Sequence, residues 1–384
     1  MDSIIIKGGL VHDAVHEKPY IADIAVEDGK IVKIAPKIRA YKKDTVIDAS
    51  GLNVFPGVVE AHCHVGLRGY AATLEGDDVN EPSNPITPEL RAIDGYNCMD
   101  KGVSRALQAG VTTICTGPGS SNIVCGTFIA VKTAKAACVE DVLVSPAAAM
   151  KCAFGENPKS CYRGKGDSNR MTTAAKLREL LFQTKEYAAK IDAAKGDPAK
   201  YPKFDMKLEA MLPVIRGEMP LKAHAHRADD ICTAIRIAKE FGVRMTLEHC
   251  TEGHLIVDQL VNAGYPIAVG PTFSTPGKPE LVNKSVETPA ILSNAGLEIS
   301  IVTDAPVTPI DYLPVFAGLA VKAGMDPFKA LKAVTINAAK HVGIADRVGS
   351  IEVGKDADIV IANGSILESQ TKIVHVLVDG KIEL

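Results

Sequence analysis

The sequence predicts an α/β fold: a (β/α)8 barrel carrying a small β-sandwich built from both ends of the chain. Three observations predict it. Both ends hold short apolar strands separated by tight-turn residues. The middle alternates strand-length apolar runs with helix-length segments. Several of those middle strands end in histidine or aspartate. Alternation of this kind points to a parallel sheet covered by helices. Closed barrels of that class collect their chemistry at the C-terminal ends of the strands.

The ends come first. Residues 4–7 (Ile-Ile-Ile-Lys), 20–27, 31–35 and 45–49 read as strands, and Asp28-Gly29 is a tight-turn pair between two of them. Residues 355–362 and 371–382 read as strands at the far end. Chain termini often lie close together. The two ends are therefore expected to pair into one composite domain, 1–55 plus 346–384, with a barrel at 56–345 inserted between them.

In the middle, strands are expected at 57–62, 111–115, 143–154, 220–225, 245–249, 266–270 and 299–303, with an eighth at 126–131. Helices are expected within 87–109 and at 172–195, 205–215, 228–241, 253–263, 288–295, 314–323 and 328–340. The linkers Phe-Gly-Val (241–243) and Ala-Gly-Tyr-Pro (263–266) place Gly just past a helix, where the left-handed conformation ends it. An open doubly wound sheet is the rival, but it needs a glycine fingerprint or one switch point, and neither is evident.

Bulk properties narrow the function. The chain has 384 residues, is 46% hydrophobic and carries a formal net charge of −3. That balance gives no electrostatic reason to expect nucleic acid or an anionic membrane as partner. No apolar run approaches the ~18 residues of a spanning helix. The first residues read as a strand, not a signal peptide. Nine cysteines, with no Cys-x-x-Cys pair, fit a reduced cytoplasmic enzyme better than a disulfide scaffold. There is no Gly-x-Ser-x-Gly elbow, no His-Glu-x-x-His helix and no P-loop.

The chemistry-bearing residues sit at strand ends. His62 and His64 follow an apolar run, and residues two apart in a strand point to the same side. Both rings can reach one metal ion. Leu-Lys-Ala-His-Ala-His (221–226) ends in His224 and His226, Arg-Met-Thr-Leu-Glu-His (244–249) ends in His249, and Ile-Ser-Ile-Val-Thr-Asp (299–304) ends in Asp304. Singly, each has a structural reading as a packed histidine or a turn-forming Asp. Jointly, imidazoles and a carboxylate suit Zn²⁺ with a water completing the site. Asp304 is the expected proton acceptor. His226 reads as a residue that supports the ligands or meets substrate, and Arg227 as a clamp for a substrate carboxylate or as a charged helix start with Asp229 and Asp230. Cys63, Cys152 and Cys250 alternate with or follow the ligand candidates and should point away from them.

These residues resemble the amidohydrolase superfamily, in its imidazolonepropionase and metal-dependent prolidase-like branch. The matching pieces are Phe-Pro-Gly (55–57) leading to His62-Cys-His64, His224 and His249 on consecutive strand ends, and Asp304. Asn-Ala-Ala-Lys-His-Val-Gly (337–343), followed by residues 349–360, completes the resemblance. It implies a distorted (β/α)8 TIM barrel and a site for one or two divalent metal ions. His62 and His64 would hold the more buried ion, and His224 and His249 the second, or His224 alone would complete a one-metal site. Asp304 would ligate metal and act as general base and acid, so Asp304 and His249 are the catalytic candidates. Glu60 stands where the family has Asp. A second ion needs an anionic bridge, either Glu156, the slightly favoured choice, or a carboxylated Lys151.

The reaction implied is hydrolysis of a C–N bond in a small molecule: a cyclic amide, an N-acyl amino acid or a dipeptide. Deamination at a C=N bond is an alternative; Arg227 stands three residues after His224, where such enzymes carry Glu. A non-catalytic binding or assembly protein is a third reading. Homo-oligomers are common in this class. The Gly/Ser-rich loop 116–126 is expected to shape the pocket, and the segments 68–89 and 153–175 to gate it.

Overall fold

The computed structural model describes residues 3–70, 76–165 and 169–384. Residues 71–75 and 166–168, parts of the two expected gates, lie outside the described residues.

The chain opens with β1 (Ser3–Val11), β2 (Tyr20–Glu27), β3 (Lys30–Ala35), β4 (Thr45–Asp48) and β5 (Asn53–Pro56). Asp28 and Gly29 take positive φ angles of 48° and 79°, the tight turn that sets the antiparallel β2–β3 register. The barrel strands follow: β6 (Val58–Cys63), β7 (Val111–Thr116), β8 (Val124–Lys132), β9 (Leu143–Ala153), β10 (Leu221–Ala225), β11 (Met245–His249), β12 (Ile267–Val269) and β13 (Ile299–Ile301). The chain then returns to the first sheet with β14 (Ile359–Ala362), β15 (Ile373–Val378) and β16 (Lys381–Ile382).

Strands from both termini form one sheet, in the order β16-β15-β14-β5-β1-β2-β3, with β4 also on β1. β5 joins the halves: it pairs parallel with β1 and antiparallel with β14. Ile6, Ile24, Val54, Ile359 and Leu377 are buried in its core. This is the small sandwich expected from the terminal sequences.

The other sheet runs from β6 to β13 in sequence order and closes into a barrel. The seam between first and last strands is held by a side chain. Glu60 on β6 accepts from the Thr303 backbone N–H at 2.9 Å and the Thr303 hydroxyl at 2.6 Å. Just above, the His64 N–H donates to Ala305 O at 2.7 Å.

The distortion lies in β8, which runs antiparallel to both β7 and β9. Its connections, residues 117–123 and 133–142, contain no α-helix. A parallel return needs a crossover of about a dozen residues or more, so these short links reverse the strand. A second difference lies at 328–340, where one helix is expected and two form, Pro327–Ala333 and Ile336–Val342. Val334 leaves the helix between them and its carbonyl accepts from the Val59 N–H of β6 at 2.9 Å. Among the described residues no helix is long and apolar enough to cross a membrane.

Candidate metal centre

Period-two alternation places Glu60, His62 and His64 on the inner face of β6 and its end, and Lys222, His224 and His226 likewise on β10. On β11 the same rule turns Thr246 and Glu248 inward. His249 should then face outward, but its φ is +74°, and this left-handed turn swings it inward as well. Asp304 makes the same turn after β13, with φ +55°. A non-Gly residue in this region costs free energy, of order 1–3 kcal/mol, that surrounding contacts must offset.

Two clusters result, His62–His64–Asp304 and His224–His226–His249, with the ligand atoms in each within 4.8 Å of one another. Asp304 Oδ1 is 3.1 Å from His64 Nε2 and 3.7 Å from His62 Nε2. The clusters adjoin: the His62 and His249 rings are 5.0 Å apart.

All five rings are tied through Nδ1. His64 donates to Gly117 O at 2.7 Å and His249 to Gly270 O at 2.8 Å. His62 Nδ1 lies 2.8 Å from Glu248 Oε2, His224 Nδ1 2.9 Å from Ser120 Oγ, and His226 Nδ1 2.7 Å from Thr251 Oγ1. A ring nitrogen facing a carbonyl or carboxylate carries the proton, which leaves the Nε2 lone pair free. His224 Nε2, His249 Nε2 and Asp304 Oδ1 are buried without any hydrogen-bond partner. Each such orphan costs about 1–3 kcal/mol. Two of them lie in the three-histidine cluster and the third in the His62–His64–Asp304 cluster, where a divalent cation would satisfy them, so this donor set fits a metal.

The electrostatics agree. Burial pushes the pKa of His62, His224 and His226 well below the ordinary imidazole value and that of His249 down to about 4, so all four are neutral. Burial opposes the charge on Asp304, but the neighbouring His249, His64 and His62 outweigh it and hold the carboxyl below the usual range. Burial pushes Glu60 up to about 8.

Lys151 is fully buried and its Nζ donates to His62 Nε2 at 3.0 Å. Burial lowers its pKa to about 8. Glu156 is not brought into either cluster. It starts the short helix Glu156–Cys161, its N–H donates to Glu280 Oε2 at 2.8 Å, and it lines a separate cavity with Arg163, Arg170 and Arg227. The strand ends at Ala153 and the chain turns at Gly155 (φ +82°), which carries Glu156 away. Arg227 is exposed and paired with Asp229 through two hydrogen bonds of 2.9 and 3.0 Å. His226, expected to face substrate, shares the three-histidine cluster. Cys63, Cys152 and Cys250 are packed in the apolar core, and all nine cysteines are free thiols.

Sequence reasoning missed the residues that hold the ligands. Glu248 is fully buried and contacts His62, Lys222 Nζ (2.9 Å), Thr246 Oγ1 (2.6 Å) and His341 Nε2 (2.8 Å). A carboxylate and a lysine in otherwise apolar strands, Glu248 and Lys222, were its signal. In the Gly/Ser-rich loop, Gly117 and Ser120 orient two of the histidines.

Residues 53–383 match the amidohydrolase family model. The chain superposes on the crystal structure of an amidohydrolase from Thermotoga maritima with a TM-score of 0.95, at 37% identity over 99% of each chain. It is 27% identical to amidohydrolase tasK of Hapsidospora irregularis over 94% of this chain, which spans only 40% of that protein's length. It is 25% identical to the imidazolonepropionase of Thermoplasma volcanium, over 88% of this chain and 83% of the relative. With the family model covering the whole barrel and every strand end that carries a ligand candidate, this chain belongs to the amidohydrolase family.

Proposed function

We propose that this chain is a metal-dependent hydrolase of the imidazolonepropionase- and prolidase-like branch, cleaving a C–N bond in a cyclic amide, an N-acyl amino acid or a dipeptide. One observation carries the reading: five imidazoles fixed through Nδ1, with orphaned His224 and His249 Nε2 atoms in one cluster and an orphaned Asp304 oxygen in the adjoining one. His62, His64 and Asp304 would hold one ion, and His224, His226 and His249 a second. Zinc suits this donor set. When bound, it supplies Lewis acidity toward a carbonyl oxygen and acidifies an attacking water.

The chain's own groups do the rest. Asp304 takes the proton of the attacking water and passes it to the departing nitrogen. His249, its Nδ1 held by Gly270 O at 2.8 Å, would keep Nε2 turned toward the second ion. Lys151 is the favoured bridge in place of Glu156. Its neutral amine adds CO2 and releases a proton, giving a carbamate that replaces a costly buried ammonium with an anionic ligand. Arg227, committed to Asp229, stays outside the reaction. We also take the domains as 56–345 and 1–55 plus 346–384. The working form is read as a cytoplasmic homo-oligomer.

Elemental analysis of purified protein, followed by a panel of dipeptides, N-acyl amino acids, cyclic ureides and purines, tests this. One or two zinc ions per chain and metal-dependent amide hydrolysis are expected. Absence of metal and of metal-dependent turnover overturns the reading. Ammonia release from purines alone replaces amide hydrolysis with deamination.

A further inference from the structure

We infer that His341 is a positioning residue for the metal centre: through Glu248 it fixes the ring of His62 with Nε2 directed toward the ion. The inference rests on the metal-dependent reading above and concerns a residue with no place in it.

His341 lies on the helix Ile336–Val342, at the end of the barrel opposite the histidine clusters. There it lines a cavity of about 380 Å³ with Arg244, Thr246 and Tyr265 at the N-terminal ends of the strands. It belongs to the stretch Asn-Ala-Ala-Lys-His-Val-Gly (337–343), which the proposed chemistry leaves unused. The ring is buried, and Nε2 donates to Glu248 Oε1 at 2.8 Å.

Glu248 is the link. Its Oε1 accepts from His341 and from the Thr246 hydroxyl; its Oε2 lies 2.8 Å from His62 Nδ1 and 2.9 Å from Lys222 Nζ. Two donors on each oxygen fill the acceptor capacity of a carboxylate. Its torsions are therefore set from both ends, and the His62 ring plane is set by it. Lys222 is itself pinned by Ala61 O at 2.9 Å, one residue before His62. Removing His341 leaves Oε1 with Thr246 alone, a donor two residues away on the same strand that turns with it. The His62 acceptor then loses its fixed direction. A carboxylate that directly holds a ligating histidine, as Glu248 holds His62, commonly contributes about 10- to 100-fold to metal affinity; His341 acts one contact further out.

The test compares wild type, His341→Leu and His341→Gln as apoproteins, titrated with zinc against a competing chelator, with apoprotein unfolding temperature measured alongside. Leu keeps the bulk and removes the donor; the Gln amide N–H occupies the place of Nε2–H. The expected result is zinc affinity weakened in the Leu variant by up to about 10-fold, the low end of what loss of a ligand-holding group causes, with most of the loss restored by Gln. Should the Leu variant not fold, His341→Asn, whose amide is too short to reach Glu248, takes its place against Gln. Wild-type affinity in the Leu variant overturns the inference. So does equal weakening in Leu and Gln with equally lowered apoprotein stability, which marks a packing role. Failure of wild type itself to bind zinc is a separate result: it overturns the metal reading and this inference with it.

Discussion

Lys151 donates a 3.0 Å hydrogen bond to His62 Nε2, the same nitrogen that faces Asp304, with both side chains fully buried inside the barrel. An unmodified ammonium there competes with a metal for the histidine lone pair. A carbamate does not. Lys151→Met is therefore expected to lower metal content by one ion per chain, whereas Glu156→Ala retains the wild-type content. Reactivation of apoprotein by zinc is expected to be faster with added bicarbonate. A metal deficit in Glu156→Ala and none in Lys151→Met would reverse the assignment.

Asp304→Asn removes the proton acceptor but keeps the shape. Hydrolysis should fall by about a hundred- to ten-thousand-fold in kcat, with an unchanged circular dichroism spectrum. A variant retaining wild-type kcat would remove Asp304 from proton transfer.

The Glu60–Thr303 contact closes the barrel. Thr303→Val keeps the volume but takes the 2.6 Å hydroxyl bond from a fully buried carboxyl. Denaturant unfolding should show a loss of about 1–3 kcal/mol. Unchanged stability would mean that the backbone N–H of Thr303 suffices for the seam.

The connection between β1 and β2 carries a pH-sensitive pair. Burial opposes ionisation of Asp13, but bonds from the His16 ring, the His16 and Val15 N–H groups and the Tyr20 hydroxyl outweigh it and lower its pKa. Its contribution is complete above the unfolded value of about 3.9 and is lost as pH falls through the lower folded value. His16 is raised by its bond to Asp13. Its contribution is complete below about 6.5 and is lost as pH rises through the higher folded value. Asp13→Asn should flatten both slopes in a plot of unfolding midpoint against pH. An identical plot in the variant would show that the pair does not matter to stability.

Much of the architecture could be read locally. Asp28-Gly29 marks the hairpin that forms, and the return of β14 onto β5 follows from apolar strands at both ends. The spacing of His62, His64, His224 and His226 told which side chains share a face, because period two is a property of one strand. The direction of β8 was not read from the sequence: it depends on how much chain each connection contains, and the two connections beside it are short and carry no α-helix. Likewise Lys151 against Glu156 could not be ordered from sequence, since both stand near the end of β9 and only the turn at Gly155 separates them.

By itself, then, the sequence determined which residues could ligate a metal and on which strand ends they stand. Only the tertiary structure decided how they are held. Glu248 and His249 are neighbours that strand geometry sends to opposite faces, yet both point inward, because contacts from elsewhere stabilise His249 at φ +74°. The His62 ring depends on Glu248, 186 residues away, and Glu248 on His341, a further 93 residues along. Local periodicity encodes the direction of a side chain. The donors that saturate one buried carboxylate are fixed only when the barrel closes around it.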